Sequence, residues 1–191
     1  MTSIVVIFGL ISGLISALMI VLTTPFMERM GFDVAEILGY TTLVASFLLV
    51  FFGIRRYREQ AGGTMTFTRG FTVGILITVI SSCIYVATWL TVSPRMAPDF
   101  AQQYKAHLLQ KERAAGATDA EIEATLAQMR YYENIYANPL GRVAITFLEP
   151  FPIGLLVTVI SAAVLRRKPP AASASAGSAF QSAAERLTAG H

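Results

Sequence analysis

Apolar residues in this chain fall into four long runs separated by short polar breaks. Ile4 to Phe26 is uncharged throughout, and Ile37 to Ile54 is opened by Asp33 and Glu36 and closed abruptly by Arg55 and Arg56. Phe71 to Val92 carries Tyr85 and Trp89 near its end, and Val143 to Leu165 contains Glu149 and stops at Arg166, Arg167 and Lys168. A hydrocarbon core about 30 Å thick is crossed by about 20 mainly apolar helical residues, so each run predicts a transmembrane helix. The expected fold is an all-α integral membrane protein of four spans. Tyr85 and Trp89 stand where an aromatic belt would lie. The first run is expected to be a span, since Met1, Thr2 and Ser3 carry no positive side chain and the run is longer than a signal core.

Flanking basic residues set the expected orientation. Arg55, Arg56, Arg58 and Arg69 lie between the second and third runs, and Arg166, Arg167 and Lys168 follow the fourth; on the other side only Arg29, Arg95 and Arg142 stand near span ends. Both termini are therefore expected in the cytoplasm of a bacterial cell, with a multi-pass chain in its inner membrane.

The segment from about 97 to 138 is charged and Ala-rich, and its start and stop signals predict a helical hairpin outside the membrane. Pro98 and Asp99 open the first helix, Phe100, Tyr104 and Leu108 share a face, and Gly116 ends it. Thr118 with Glu121 three residues on is a capping-box pattern for the second. Ile122, Leu126, Met129 and Tyr136 give it an apolar stripe, and Asn138-Pro139 stops it. Residues 169 to 191, rich in Ala, Ser and Pro, are expected to be a disordered cytoplasmic tail.

Composition agrees with lipid as the main partner: 54% of residues are hydrophobic and 14% charged, against about a quarter charged in soluble domains. A net charge of +3, held at span ends, argues against nucleic acid. Cys83 is the one cysteine, so a cysteine metal cluster is excluded, and it is expected as a small buried hydrophobe. His107 has no metal-binding companions in sequence. The loop holding Gly62-Gly63 lacks the Gly-Lys-Ser/Thr ending of a phosphate-binding loop. With no triad, zinc helix or paired-carboxylate site, neither an enzyme nor a cofactor is expected.

Small residues recur every fourth position at Gly9, Gly13 and Ala17, at Gly74, Thr78 and Ser82, and at Gly154, Thr158 and Ala162. Such faces let backbones approach closely and are expected to line the bundle interior. The octapeptide from Gly74 to Ser81 nearly repeats that from Gly154 to Ser161. The two spans run in opposite directions, which leaves an inverted repeat and a reused packing solution both open. One of these faces is also a candidate for pairing with a second copy or with another membrane protein.

Glu149 is the acidic residue inside a predicted span. An intramembrane carboxylate is costly unless paired, protonated or wet, which makes it a candidate functional residue. Pro150 and Pro152 follow at once and predict a kink or break. Its expected place is a few ångströms below the outer surface, with Arg142, Arg95 or the outer end of the second span as partner. Glu36 lies on the same side and is explained equally by the preference for negative charge at a helix start. A shared polar site of Glu149, Glu36, Arg142 and Arg95 beneath the hairpin is the resulting expectation, open to a structural ion pair or to a proton- or ligand-handling role.

These residues resemble a bacterial membrane family known as domain of unknown function 4199. The similarity runs through Gly9-Leu-Ile-Ser-Gly13, Gly39-Tyr40, Phe51 to Arg58, Tyr85 and Trp89, Asn138-Pro139, and Phe147 to Gly154 with Leu165 to Lys168, covering about residues 3 to 168. It implies a four-span membrane protein with no assigned activity and no site residues to carry over. The expected role is interaction, assembly or envelope maintenance; the alternative is a small oligomeric transporter or channel working through Glu149.

Overall fold

The computed structural model describes residues 1–167, so the expected tail at 169 to 191 lies outside the described residues. The described chain is helical, apart from turns and one isolated β-bridge. Helix α1 covers Thr2–Thr23 and passes through a 3₁₀ turn, Thr24–Phe26, into the single turn α2, Met27–Met30. Helices α3, Phe32–Gln60, and α4, Phe67–Met96, follow. Then come α5, Phe100–Ala114, and α6, Asp119–Ala137, before α7, Pro139–Leu148, and α8, Pro150–Leu165. Four segments are long and apolar enough to cross a membrane: Thr2–Phe26, Phe32–Gln60, Phe67–Met96 and Pro139–Leu165. They mark a membrane protein, and α3 and α4 extend several residues past both ends of the runs at 37–54 and 71–92.

In the bundle, α4 packs against α1 and α8, α3 packs against the same two helices, and α3 and α4 meet across the middle. Helices α1 and α8 occupy opposite corners. Small residues make this closeness possible. A Cβ on Gly9 would stand 2.9 Å from the Ile80 side chain, and one on Gly13 would stand 2.6 Å from Ile84. On the other flank of α4, Gly74 receives Thr158 and Gly154 receives Thr78, so the two similar octapeptides pack face to face. The Thr78 and Thr158 hydroxyls lie 3.1 Å apart, and Thr78 also donates to the Gly154 carbonyl at 3.3 Å.

Serines knit the remaining helices. Ser12 donates to the Ser46 carbonyl at 2.9 Å and lies 3.0 Å from the Ser81 hydroxyl, while Ser16 donates to the Ser46 hydroxyl at 2.9 Å. Interhelical hydrogen bonds of this kind contribute about 1 kcal/mol each in a membrane, where apolar burial between helices gains little over lipid. Cys83 is exposed, contrary to the expectation of burial. Ser82 takes the fully buried position, and the next residue is turned about 100° around the helix, away from the bundle.

One end of the bundle is apolar and clamped. Phe47, Val50, Ile54, Val73 and Ile77 are fully buried there. The N–H of Met65 donates to the Arg167 carbonyl and that of Arg167 to the Met65 carbonyl, both at 3.0 Å, which ties the α3–α4 loop to the end of α8. At the opposite end α5 and α6 pack as an antiparallel pair. Gly116 makes the turn with φ +80°, and Thr118 and Glu121 form the full capping box. Thr125 donates to Glu112 at 2.6 Å and Lys105 to Glu133 at 3.1 Å across the pair. Asn138 caps α7 by accepting from the Leu140 N–H at 2.9 Å, and Pro139 sits at the first helical position, where its missing donor costs nothing.

Candidate functional site

The break expected from Pro150 and Pro152 falls at Glu149, which is at once the last cap of α7 and the first of α8. Pro150 and Pro152 leave the carbonyls of Thr146 and Leu148 without helical donors, and the regular helix is interrupted there. Glu149 is thereby held at the surface of the bundle rather than enclosed in it. Its carboxylate lies within electrostatic reach of the half-buried Tyr85 on α4 and of Glu36 on α3.

Glu36 and Tyr40 are one turn apart on α3, both exposed, and Tyr40 interacts with both carboxylates. From above, α5 contributes Tyr104. Burial pushes the Tyr104 hydroxyl up, the Glu36 carboxylate raises it further, Lys111 opposes the rise, and Glu149 adds to it. Glu36, Tyr40, Tyr85, Tyr104 and Glu149 are therefore electrostatically coupled as one group at the hairpin end.

Two sets of contacts hold the hairpin over it. In the first, Lys111 donates to Asp33 at 2.7 Å and His107 lies 3.4 Å from the same oxygen. The Asp33 hydrogen bond raises Lys111 above the usual amine range, with Glu36 adding to the effect. Phe32 meets the rings of Phe100, Tyr104 and His107 at 5.9, 5.8 and 5.3 Å, and Trp89 meets Phe100 edge to face at 5.2 Å. A cavity of about 130 Å³ lies beside these rings, lined by Thr24, Pro25, Met27 and Met96 among others.

In the second set, the Trp89 indole N–H donates to the Tyr136 hydroxyl at 3.0 Å, and that oxygen lies 3.2 Å from the Thr146 hydroxyl. Arg142 donates through Nε to the Tyr136 carbonyl at 3.1 Å, with its guanidinium 5.5 Å from the centre of the same ring.

The structure thus brings together Glu149 and Glu36 and leaves the two expected arginines elsewhere. Arg142 is taken by Tyr136, and Arg95 donates at 2.6 Å to the Thr91 carbonyl of its own helix. The side chains coupled to Glu149 are a phenol, Tyr85, and the Glu36 carboxylate, not a guanidinium. Tyr40 and Tyr104 entered no sequence argument about the site, and Tyr85 entered only as a belt residue; the spacing of four between Glu36 and Tyr40 was the available signal. The helix-packing residues Gly9, Gly13, Gly74, Thr78, Gly154 and Thr158 all lie inside the bundle, away from this group.

Two carboxylates among three phenols favour a cationic or hydrogen-bond-donating group beside them. Among the described residues no three His, Cys, Asp or Glu side chains are grouped to hold a metal ion.

The family model described as "Protein of unknown function (DUF4199)" matches residues 7–167. No curated protein and no solved structure matches the chain.

Proposed function

Since the chain belongs to the DUF4199 family of proteins of unknown function, we propose its role from its geometry: a non-enzymatic, multi-pass membrane protein whose helical hairpin and underlying carboxylate–tyrosine group serve interaction or assembly in a bacterial envelope. On this reading the hairpin is outside the inner membrane and both termini are cytoplasmic. The arginines between the second and third spans and after the fourth support that orientation. Its partners are the bilayer and either a second copy or another membrane protein.

The observation that carries the reading is Glu149 at a helix break, facing Glu36 across a group of tyrosines, with the α5–α6 pair fastened over them. Two like charges brought together on a membrane protein oppose folding, so their retention speaks for a use other than stability. Thermal unfolding of the full chain in detergent, compared with Glu149→Gln and Glu36→Gln across pH, tests it. Retained or raised stability is expected; a marked loss in both variants at every pH makes the carboxylates structural anchors and overturns the reading.

A second reading, proton- or cation-coupled transport, has one observation in its favour: the last span is discontinuous at its carboxylate, as helices of ion-handling transporters are. Proton flux into liposomes holding the wild-type protein, and its absence with Glu149→Gln, is the result it requires.

A further inference from the structure

We propose that the exposed apolar face of α7, the segment of the last span beyond the break, reaches the lipid headgroup–acyl boundary, and that Tyr131 and Tyr132 of α6 rest on the same leaflet. The surface formed by these two tyrosines with Leu140 and Val143 is then a lipid-binding foot of the hairpin. The inference does not depend on what the carboxylate group binds.

Three observations lead to it. First, α7 has two unlike faces. Arg142 and Thr146 turn toward Tyr136 and Trp89, whereas Leu140, Val143, Ala144 and Leu148 are exposed, Leu140 by 80%. A helix with a satisfied polar face and a bare apolar one is the form that lies in an interface.

Second, the bare face is continuous with the exposed ridge of α8. Leu140, Ala144 and Leu148 follow one another at a spacing of four, and the same ridge runs on through Leu156, Ile160 and Val164. Only lipid covers the lower part of that ridge if α8 crosses the bilayer, so lipid is the occupant that continues upward without a change of partner. The 16 residues of α8 make about 24 Å of helix, which leaves several ångströms of a core about 30 Å thick to be met by the segment beyond the break.

Third, two exposed tyrosines lie next to the docking point of α6 on α7. Tyr131 and Tyr132 stand one turn before Ile135 and Tyr136, the residues through which α6 rests on the bundle. Ile135 backs so closely on Gly141 that a Cβ there would overlap its carbonyl, and Tyr136 holds Trp89 and Thr146. Their rings, 6.0 Å apart and edge to face, are 64% and 44% exposed. Tyrosine is the residue suited to a position with an apolar body and a wet tip.

The test uses full-length protein with Cys83→Ser and single cysteines in place of Tyr131, Tyr132, Leu140 and, as a control in the hairpin turn, Ala115. Each is spin-labelled and reconstituted in vesicles of phosphatidylethanolamine and phosphatidylglycerol. Because these side chains are exposed, folding is not at stake. Labels at 131, 132 and 140 are expected to collide with dissolved oxygen far more than with a water-soluble nickel chelate, by a ratio several-fold above that at 115. A ratio equal to the control places the surface in water and overturns the proposal. Low access to both reagents with dipolar broadening shows a second copy on the surface and overturns it equally.

Discussion

Thr78 and Thr158 stand on antiparallel helices with their hydroxyls 3.1 Å apart, and each side chain fills the space above the other helix's glycine, Thr78 over Gly154 and Thr158 over Gly74. The exchange is reciprocal, so the α4–α8 seam has a local two-fold character that joins the two similar octapeptides. A methyl group on either glycine has nowhere to go: at Gly154 it meets Thr78 and Phe47, at Gly74 Thr158 and Ile54. Gly154→Ala and Gly74→Ala are each expected to lower stability by about 1–3 kcal/mol. Gly39→Ala, with nothing within 4 Å of the added carbon, is expected to be neutral or to raise stability by up to about 1 kcal/mol. Equilibrium unfolding in mixed micelles checks the contrast.

The same seam gives a finer test through its hydroxyls. Thr78→Val keeps the shape and removes the bonds to Thr158 and Gly154. A loss of roughly 1 kcal/mol is expected, and Thr78→Val with Thr158→Val should cost less than the sum of the two single changes, since both act on one interaction.

Trp89 is the one tryptophan of the chain, and its N–H is bound to Tyr136, so its fluorescence reports on the docking of α6. Tyr136→Phe leaves the indole N–H without this partner. It is expected to shift the emission maximum and to cost about 1 kcal/mol, while Tyr132→Phe, which touches neither group, is expected to leave the emission unchanged.

The Asp33–Lys111 tether is exposed and is expected to be sensitive to salt. Lys111 is raised above its ordinary 10.5. Its contribution is therefore complete below that value and is lost as pH rises through the folded-state value. Lys111→Ala should increase amide exchange over α5 at neutral pH while leaving α3 and α4 unchanged; equal exchange in α5 would show that the aromatic contacts alone hold it.

Glu121 behaves in the opposite sense. The Thr118 N–H, followed by its hydroxyl, holds the carboxyl below its ordinary 4.5, so the cap is complete above that value and is lost as pH falls through the lower folded value. The Thr118 amide resonance is expected to titrate below the usual glutamate range, and Glu121→Gln to abolish that titration.

Much of this was legible before any coordinates. Four uninterrupted apolar runs must be buried in lipid or in each other; Thr118 and Glu121 announce a cap; and two prolines after Glu149 announce a kink or a break. The small residues at Gly9, Gly13, Gly74 and Gly154 identify packed faces, though not which helix answers which. The tyrosine group was not legible, because Tyr40, Tyr85 and Tyr104 lie on three helices and converge only once α5 folds back over α3. The arginines misled for a related reason. Charge suggests Glu149 as their natural partner, yet Arg142 finds a carbonyl and a ring at Tyr136, and Arg95 a carbonyl one turn away, at much shorter range. The Ser12–Ser46–Ser81 contacts join residues 34 and 69 positions apart, with no periodicity to reveal them.

The paired backbone bonds between Met65 and Arg167 make the two ends of the molecule mechanically unequal. Where these residues meet, the second, third and fourth spans are fixed to one another by main chain and by an apolar core. At the far end they are joined by hydroxyls, rings and single ion pairs. Any spreading of the helices is therefore expected at the hairpin end, as with the jaws of a peg sprung at its base, where Glu36 and Glu149 lie.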